Sequence, residues 1–253
     1  MNLVLLESED IGAAGTLTLT GTRAAHLRDV LHVAPGHEVR IGVIDGPRGV
    51  GTVDSIAPDG TVALRCALET ATAPRPAIDL LLAVPRPKVM RRLWAQIAAL
   101  GVGGIILTNA EKVERNYFDT HILSPDTYRP LLIEGLQQAR DTRLPVVSIH
   151  RQFKILIEDE LDALFPAGLR VVADPSATTP LGALISRNSD RMLLAIGPEG
   201  GWNAFELGLL EAHGFQKAGM GPRTLRSDTA CVAALAIAHS AQGWSDFRRQ
   251  ISD

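Results

Sequence analysis

The glycine-rich stretch AIGPEGGW, residues 195–202, has the residue types of a ligand-binding loop. It follows a strand-like apolar run, MLLAI at 192–196, and precedes a helical pattern that begins after Asn203. Because glycine lacks a Cβ atom, the backbone of Gly197–Gly201 can approach a bound molecule closely. Loops at the carboxyl ends of strands in open α/β sheets are the usual ligand sites. We therefore predict a binding loop here, with a purely structural turn as the alternative.

Two familiar nucleotide-binding motifs do not fit this stretch. A dinucleotide fingerprint needs GxGxxG between a strand and a helix, whereas this loop reads GxxGG. The other candidate, GVGG at 101–104, follows a helical pattern and precedes a strand, which is the reverse order. A phosphate loop needs Gly-Lys-Ser/Thr, which is absent from the sequence.

A second loop of the same kind lies in GMGPRTLRSDTA, residues 219–230. A strand-like segment enters it, and we expect Ser227 or Asp228 to cap the helix that follows. Arg223 and Arg226 lie in this Gly/Pro loop, where a planar guanidinium group suits a phosphate or an anionic base. The alternative is a pair of surface arginines with local pairing to Asp228.

Together, IGPEGGW and GMGPRTLRSDTA resemble the paired signature of the 16S rRNA uracil-N3 methyltransferases of the SPOUT superfamily. The usual forms in that family are IGPEGG and LGPRILR-x-ETA, which Gly197–Gly201 and Gly221–Thr229 match almost residue for residue. HLRDVLHVAPGHEVRIGVIDG, residues 26–46, is similar to the small N-terminal domain of the family. The chain departs from the family at 85–92, PRPKVMRR in place of a PKGDRME-like stretch, and at 137–141, QQARD in place of EQSGR.

The resemblance implies an α/β fold, a SPOUT-type trefoil-knot methyltransferase domain with a small N-terminal PUA-like β-barrel domain. It also implies S-adenosyl-L-methionine as cofactor, a homodimer with the active site near the interface, and methylation of N3 of a uridine in 16S rRNA of the small ribosomal subunit. Periodicity by itself predicts an unknotted sheet. Two alternatives stay open, namely an enzyme that acts on a different RNA and a catalytically silent RNA-binding homologue.

The same resemblance assigns roles to residues of the matched loops. The expected cofactor-binding residues are Asp174, Pro175, Ile196, Gly197, Pro198, Gly200, Gly201, Met220, Gly221, Pro222, Arg223 and Leu225. We expect Arg226 to stabilise negative charge on the uracil or to hold a phosphate, and Glu199 or Asp228 to accept the N3 proton. Each carboxylate has a structural alternative, because Asp228 could cap the helix and Glu199 could brace the loop.

The distribution of charge predicts where a polyanion would bind. The formal net charge is -3, yet residues 85–154 carry 11 Lys/Arg against 6 Asp/Glu, whereas residues 155–212 carry 3 against 9. A basic segment attracts phosphates. The expected RNA-binding residues are Arg86, Lys88, Arg91, Arg92, Arg140 and Arg143, with Lys112 and Arg115 in the same stretch. A solvated basic face without a partner is the alternative.

Two domains follow from the pattern of short strands and turns. Residues 1–72 contain β-rich runs at 17–20, 38–44, 49–57 and 61–68 with a short helix over 26–33, which predicts a small β-barrel or sandwich. The proline-rich ETATAPRPA at 69–77 is the expected boundary. In residues 73–253, strands at 78–84, 104–108, 146–149, 169–173, 192–196 and 216–220 alternate with helices, including those over 90–100 and 128–138. This alternation predicts a mostly parallel α/β sheet.

Composition excludes other classes of protein. Hydrophobic residues make up 46%, but no apolar run is long enough to cross a membrane, and the N-terminus MNLVLLESED turns acidic where a signal peptide stays apolar. We therefore expect a cytoplasmic protein. Cys66 and Cys231 are far apart and have no histidine at ligand spacing, so neither a disulfide nor a metal site is expected. Cys231 is predicted to be a small buried residue.

Overall fold

The computed structural model describes residues 3–12, 15–185 and 191–243. The chain forms two compact units. The first consists of residues 1–74 and 133–144, and the second consists of residues 75–132 and 145–253.

The first unit is built on a five-stranded sheet in the order β1-β3-β4-β5-β2. Its strands are β1 (Val4–Leu6), β2 (Thr16–Leu19), β3 (Glu38–Val43), β4 (Arg48–Ile56) and β5 (Val62–Leu68). β1 pairs with β3 in parallel, and the remaining pairs are antiparallel. The four predicted strands are confirmed to within two residues at each end. β1 was not predicted, because three residues are too few to display an alternating pattern.

Alternation of side chains explains the core of this unit. In β2, Leu17 and Leu19 are buried while Thr16 and Thr18 are exposed, because successive residues of a strand face opposite sides. A helical stretch packs on this face: α1 (Gly21–Ala25) continues directly into a π-helical turn, His26–Val30. It begins five residues before the predicted helix and contributes the fully buried Leu27.

A later part of the chain returns to the first unit. The Thr142 hydroxyl donates a hydrogen bond to the Gly46 carbonyl at 2.7 Å, and the Asp45 N–H donates to the Thr142 carbonyl at 2.8 Å. Residues 133–144 belong to this unit for that reason, a return that the sequence pattern did not predict. The boundary between domains 1–72 and 73–253 stays a prediction.

The second unit contains a six-stranded sheet in the order β11-β9-β10-β6-β7-β8. Its strands are β6 (Ile78–Ala83), β7 (Gly104–Thr108), β8 (Val146–His150), β9 (Leu169–Ala173), β10 (Met192–Ile196) and β11 (Phe215–Ala218). Every pair is parallel, which confirms the predicted α/β sheet. All residues of the central β6 and β10 are buried, because helices cover both faces of such a sheet.

Seven further helices and several single turns complete the described chain. The helices are α2 (Pro87–Leu100), α3 (Pro125–Ala139), α4 (Phe153–Ile155), α5 (Leu161–Leu164), α6 (Leu181–Leu184), α7 (Ala204–Ala212) and α8 (Ser227–Gln242). Turns of 3-10 helix span Ser8–Asp10, Arg115–Asp119 and His121–Leu123, and a π-helical turn, Leu156–Glu160, joins α4 to α5. α3 begins three residues before the predicted helix, and its last residues belong to the first unit.

Helices α2 and α8 lie beside each other in the second unit. α2 buries Met90, Leu93, Trp94 and Ile97 at helical spacing, and the Trp94 indole N–H donates to the Ile122 carbonyl at 3.1 Å. Three of the six residues that α8 buries are alanines, and Cys231 is fully buried as predicted. Small side chains allow neighbouring elements to approach the start of α8 closely. None of the described helices is long and apolar enough to cross a membrane.

Candidate functional site

Three loops meet at one edge of the six-stranded sheet. β11, β9 and β10 are neighbours and run in the same direction, so the loops that follow them leave from the same edge. The loops span residues 174–180, 197–203 and 219–226. We call them the cofactor loops because they contain the residues that the sequence predicts to bind a cofactor. The first and third are joined by hydrogen bonds of 2.9 Å from the Gly219 N–H to the Thr179 carbonyl and from the Leu181 N–H to the Gly219 carbonyl.

The loop after β9 is braced by its own first residue. Asp174 is buried, and its Oδ1 accepts hydrogen bonds from the Ser176 N–H and the Ser176 hydroxyl, both at 2.9 Å. The Asp174 N–H donates to the Ala218 carbonyl at 3.0 Å, which fixes the loop to the end of β11. Pro175 and Ser176 are left exposed at the sheet edge.

The loop after β10 turns tightly over the sheet edge. Ile196 and Pro198 are buried, and the Gly201 N–H donates to the Pro198 carbonyl at 2.8 Å. Trp202 lies against Gly197, where an added Cβ would be 3.1 Å from the indole Nε1. Only glycine therefore fits at position 197 without displacing the indole ring. No sequence pattern indicated this role of Trp202.

Helix α7 starts as the sequence predicts. The Asn203 side chain accepts from the Glu206 N–H, and the Glu206 carboxylate accepts from the Asn203 N–H, both at 2.8 Å. This reciprocal pair is a capping box. The other Glu206 oxygen accepts from the Glu111 N–H at 2.6 Å, so a buried carboxylate ties the loop after β7 to the start of α7.

The loop after β11 is open to solvent. Gly221 has φ +113, a conformation that side chains disfavour, and an added Cβ there would meet nothing within 4 Å. Pro222, Arg223 and Arg226 are exposed, whereas Met220 and Leu225 are half-buried. Neither arginine side chain has a hydrogen bond or an ion pair with any residue of the described chain, and Asp228 pairs with Arg92, so the alternative of local pairing to Asp228 is not found.

The predicted helix cap at the end of this loop is also wrong. α8 begins at Ser227, and its N-cap position is occupied by Arg226, whose side chain makes no capping hydrogen bond. The backbone takes extended dihedrals one residue earlier than the sequence indicated. Asp228 lies in the first turn instead, where its Oδ1 accepts from the Thr229 N–H at 2.9 Å.

Two buried polar atoms near these loops have no hydrogen-bond partner among the described residues. They are the hydroxyl oxygen of Ser227, which is 3% exposed, and the indole Nε1 of Trp202, which is 8% exposed. An unsatisfied buried polar group costs on the order of 1–3 kcal/mol. A bound polar molecule would remove that cost.

Part of the basic segment lies against these loops. The Arg86 N–H donates to Glu199 Oε1 at 3.3 Å, and the Arg92 guanidinium pairs with Asp228 Oδ2 at 3.2 Å. The Lys112 ammonium group donates to the Gly200 carbonyl at 2.6 Å. The structure thus brings both candidate proton acceptors next to the predicted RNA-binding run. The side chains of Arg86, Lys88, Arg91 and Arg92 are all exposed.

Two predicted RNA-binding residues belong to the first unit instead. The Arg143 guanidinium donates to the Ala73 carbonyl and, at 3.1 Å, to the Asp45 carbonyl, and its side chain is only 20% exposed. Arg143 therefore braces the chain where residues 133–144 join this unit. Arg140 is exposed just after α3 and has φ +59. No group of three or more metal-ligating side chains occurs in residues 3–12, 15–185 and 191–243.

Comparisons with known proteins agree with this arrangement. A family model described as the RNA methyltransferase domain matches residues 72–239. Ribosomal RNA small subunit methyltransferase E of Treponema pallidum is 30% identical over 248 residues, covering 96% of this chain and 93% of that protein. A protein of the same name from Synechocystis sp. is 28% identical over 228 residues, covering 87% of this chain and 72% of that protein.

Solved structures share the whole architecture. The crystal structure of ribosomal RNA small subunit methyltransferase E from Neisseria gonorrhoeae, bound to S-adenosyl methionine, has a TM-score of 0.76 at 21% identity and covers 95% of this chain and 97% of that one. A putative methyltransferase from Legionella pneumophila, in complex with the same cofactor, has a TM-score of 0.77 at 20% identity. At these identities the likeness is one of fold.

Proposed function

Because this chain belongs to the RNA methyltransferase domain family, we propose that it transfers a methyl group from S-adenosyl-L-methionine to N3 of a uridine in 16S rRNA of the small ribosomal subunit. The observation that carries the proposal is the meeting of the three cofactor loops with the basic run at one sheet edge. Arg86 and Arg92, both predicted to bind RNA, are bonded there to Glu199 and Asp228, both predicted to handle the proton.

The residues of this edge fit the cofactor. The Ser227 hydroxyl oxygen and the Trp202 indole nitrogen are buried and have no hydrogen-bond partner among the described residues. Gly221 has no side chain, and the space that a Cβ would occupy is open. We propose that the loops 174–180, 197–203 and 219–226 bind S-adenosyl-L-methionine through the predicted residues. Bound there, the cofactor would supply an electrophilic methyl group on a sulfonium sulfur. The exposed Arg223 has a guanidinium group suited to a carboxylate.

The protein's part in the chemistry is to orient the base and to move one proton. Uridine N3 is an imide nitrogen that carries a proton, and it becomes nucleophilic when a carboxylate oxygen takes that proton. The negative charge then spreads onto the two uracil oxygens. Arg226 is the exposed last residue of the third cofactor loop and has no ion pair to a described residue. Its guanidinium group is therefore available to stabilise that charge. Holding the reactants in line supplies much of the remaining acceleration.

Of the two candidate proton acceptors, we favour Glu199. Both oxygens of Asp228 are engaged, Oδ1 by the Thr229 N–H and Oδ2 by Arg92. Glu199 uses only Oε1, in a long hydrogen bond of 3.3 Å with the Arg86 N–H, and its other oxygen has no partner in the described chain. A proton acceptor needs an oxygen that can approach the N3 proton, and the second oxygen of Glu199 makes no competing hydrogen bond in the described chain.

The exposed side chains of Arg86, Lys88 and Arg91 are proposed to contact RNA phosphates. Such contacts position the strand without reading its sequence. Because N3 lies on the pairing edge of the base, the target uridine must be unpaired or flipped out when it reacts. A ribosomal substrate would keep the protein in the cytoplasm, as the sequence predicts.

The finer features implied by the resemblance are part of the same proposal. They are the SPOUT-type trefoil knot of the second unit, the PUA-like character of the first unit and the homodimer. The five-stranded sheet of the first unit is compatible with a small barrel. In the second unit, β9 lies between β10 and β11, so the chain must cross β9 when it passes from β10 to β11. Light scattering of the purified protein would measure the proposed dimer directly.

Primer extension across 16S rRNA tests the function. N3-methyluridine cannot pair normally, so it stops reverse transcriptase, and we expect one stop to disappear in a strain that lacks the gene. Wild-type protein should restore the stop, and Arg226→Ala should not, since removal of one charge-stabilising group costs about 10²-fold in rate. An unchanged pattern in the deletion strain would refute the proposed substrate.

Isothermal calorimetry with S-adenosyl-L-methionine separates the alternatives. We expect Arg226→Ala to bind the cofactor as tightly as the wild type does, because its role is in the reaction. A catalytically silent RNA-binding homologue would show no cofactor binding in the wild type. Cofactor binding together with an unchanged stop pattern in 16S rRNA would favour an enzyme that acts on a different RNA.

A further inference from the structure

A pocket of about 420 Å³ lies beside the start of α7, in the second unit. Residues 109–115, which follow β7, form one wall, Phe153 and Lys154 form another, and Asn203, Phe205 and Glu206 close it. The volume is within the range of small-ligand sites. The cofactor roles expected from the sequence involve none of these residues.

Phe205 gives the pocket an aromatic surface. Its side chain is 61% exposed, and it is the one aromatic residue among the large hydrophobic residues that are exposed in the described parts of the chain. It lies in the first turn of α7, between the capping-box residues Asn203 and Glu206, so its backbone is held firmly. An exposed ring on a fixed backbone is the usual stacking surface for an unpaired nucleobase.

Asn109 gives the pocket a polar group that lacks a partner. Its Oδ1 is buried and has no hydrogen bond to any described residue, whereas its backbone N–H donates to the His150 carbonyl at 3.3 Å. The amide side chain has both acceptor and donor atoms, which match the donors and acceptors on the edge of a base. A base stacked in the pocket would satisfy this buried oxygen.

The charges at the rim suit a phosphate group. Arg115 is exposed and has no ion pair within the described residues, and Lys154 makes only an exposed contact of 3.7 Å with Glu158. The Glu206 carboxylate is buried, and each of its oxygens already accepts a backbone N–H group. Glu111 is the remaining carboxylate of the lining, and it is exposed.

The pocket shares its walls with the loop after β10. The Phe153 ring lies 5.3 Å from the Trp202 ring, and Trp202 packs on Gly197. Lys112, from the wall that follows β7, donates to the Gly200 carbonyl at 2.6 Å. A molecule in the pocket and a uridine at Glu199 would therefore both be bound next to the same short loop.

We propose that this pocket binds one nucleotide of the single-stranded RNA that flanks the methylated uridine. Phe205 stacks on the base, Asn109 bonds to its edge, and Arg115 and Lys154 hold its phosphate. The inference rests on the proposed function for the identity of the neighbouring uridine. Contacts to flanking nucleotides are a common source of sequence selectivity in enzymes that act on an unpaired base.

Kinetics of full-length variants test the pocket. We would measure methyl transfer to small ribosomal subunits, and the anisotropy of a labelled single-stranded RNA, for Phe205→Ala, Phe205→Trp and Arg115→Gln. The matched control is Ile155→Ala, because Ile155 is 41% exposed next to Lys154 but lies outside the pocket lining. Loss of one stacked base reduces affinity by about ten-fold.

We expect Phe205→Ala and Arg115→Gln to raise the KM for the subunit and the Kd for single-stranded RNA by about ten-fold, with the same kcat and the same cofactor affinity. Phe205→Trp should restore both constants, and Ile155→Ala should leave them unchanged. If Phe205→Ala lowers the melting temperature, Arg115→Gln decides, because its exposed side chain supports no described contact.

Three results would separate the pocket from the proposed function. Unchanged RNA constants in Phe205→Ala and Arg115→Gln, in a wild type that methylates, would overturn the pocket alone. An equal loss of affinity for fully double-stranded RNA would also overturn it, since paired bases cannot stack on Phe205. A wild type that transfers no methyl group, but binds single-stranded RNA through Phe205, would overturn the proposed function and retain the pocket.

Discussion

At the scale of single residues, Glu199 is distinguished by what it does not contact. It has one carboxylate oxygen without a partner in the described chain, whereas Asp228 has both oxygens engaged. A carboxylate that braces a loop is held through its oxygens, whereas one that takes a proton needs an oxygen that makes no competing contact. Glu199 meets the second condition.

We expect Glu199→Gln to lower kcat for methyl transfer by about 10²-fold or more, because the amide keeps the shape but cannot accept the N3 proton. The KM for RNA and the calorimetric affinity for the cofactor should stay as in the wild type. Glu211→Gln is the matched control, since Glu211 is an exposed carboxylate on α7 that pairs with Lys217. A normal kcat in Glu199→Gln, with a large loss in Asp228→Asn, would assign the proton to Asp228 instead.

At the scale of elements, Glu206 determines how α7 and the loop after β7 are joined. Its carboxylate is 3% exposed and accepts from the Asn203 N–H and the Glu111 N–H. In Glu206→Gln, one oxygen becomes an NH2 group that faces a backbone donor, which leaves a buried N–H without an acceptor. We expect the free energy of unfolding to fall by about 1–3 kcal/mol, measured by urea denaturation.

Glu211→Gln again provides the comparison, because Glu211 lies on the same helix and is exposed. It should change the free energy of unfolding by less than about 0.5 kcal/mol. If Glu206→Gln were as stable as this control, the lost hydrogen bond would have to be replaced by one to water. The role given to Glu206 would then be wrong.

The sequence predicted those elements that display their period over enough residues. All six strands of the parallel sheet were predicted, five of them from compact apolar runs and β11 from the weaker segment QKAGM. The helical stretch Phe153–Leu164 was missed, although its buried residues Phe153, Leu156, Ile157 and Leu161 recur at helical spacing. The signal was present, but the acidic residues of the same stretch were interpreted as part of a charge pattern.

The sequence predicted separate parts of the candidate site but not how they come together. Both loop motifs and the capping box of α7 are local, so the sequence displays them directly. The pairing of Arg92 with Asp228 joins residues 136 positions apart, and it depends on how α2 lies against α8, which no local pattern specifies. The pocket at Phe205 was missed for the same reason, because its walls come from three separate stretches of the chain.

At the scale of the whole molecule, charge is segregated along the chain. A net charge of -3 would oppose binding to RNA if it were spread evenly, yet residues 85–154 carry 11 Lys/Arg against 6 Asp/Glu. Lys88 and Arg91 lie in this segment, exposed on α2, without hydrogen bonds or ion pairs to described residues. Affinity for RNA should therefore come from a small part of the molecule and depend strongly on salt.

We expect the double variant Lys88→Ala/Arg91→Ala to bind single-stranded RNA more weakly and with a smaller dependence on salt. Each lost phosphate contact reduces the slope of log K against log salt by about 0.7, since fewer counterions are released on binding. Fluorescence anisotropy over a series of salt concentrations measures that slope. Arg151→Ala is the matched control, because Arg151 is exposed in the same basic segment but already pairs with Asp119. Equal slopes for the double variant and the wild type would contradict phosphate binding by α2. A reduced slope with unchanged cofactor affinity would place an electrostatic contact with RNA on α2, the helix that follows Arg86 and its partner Glu199.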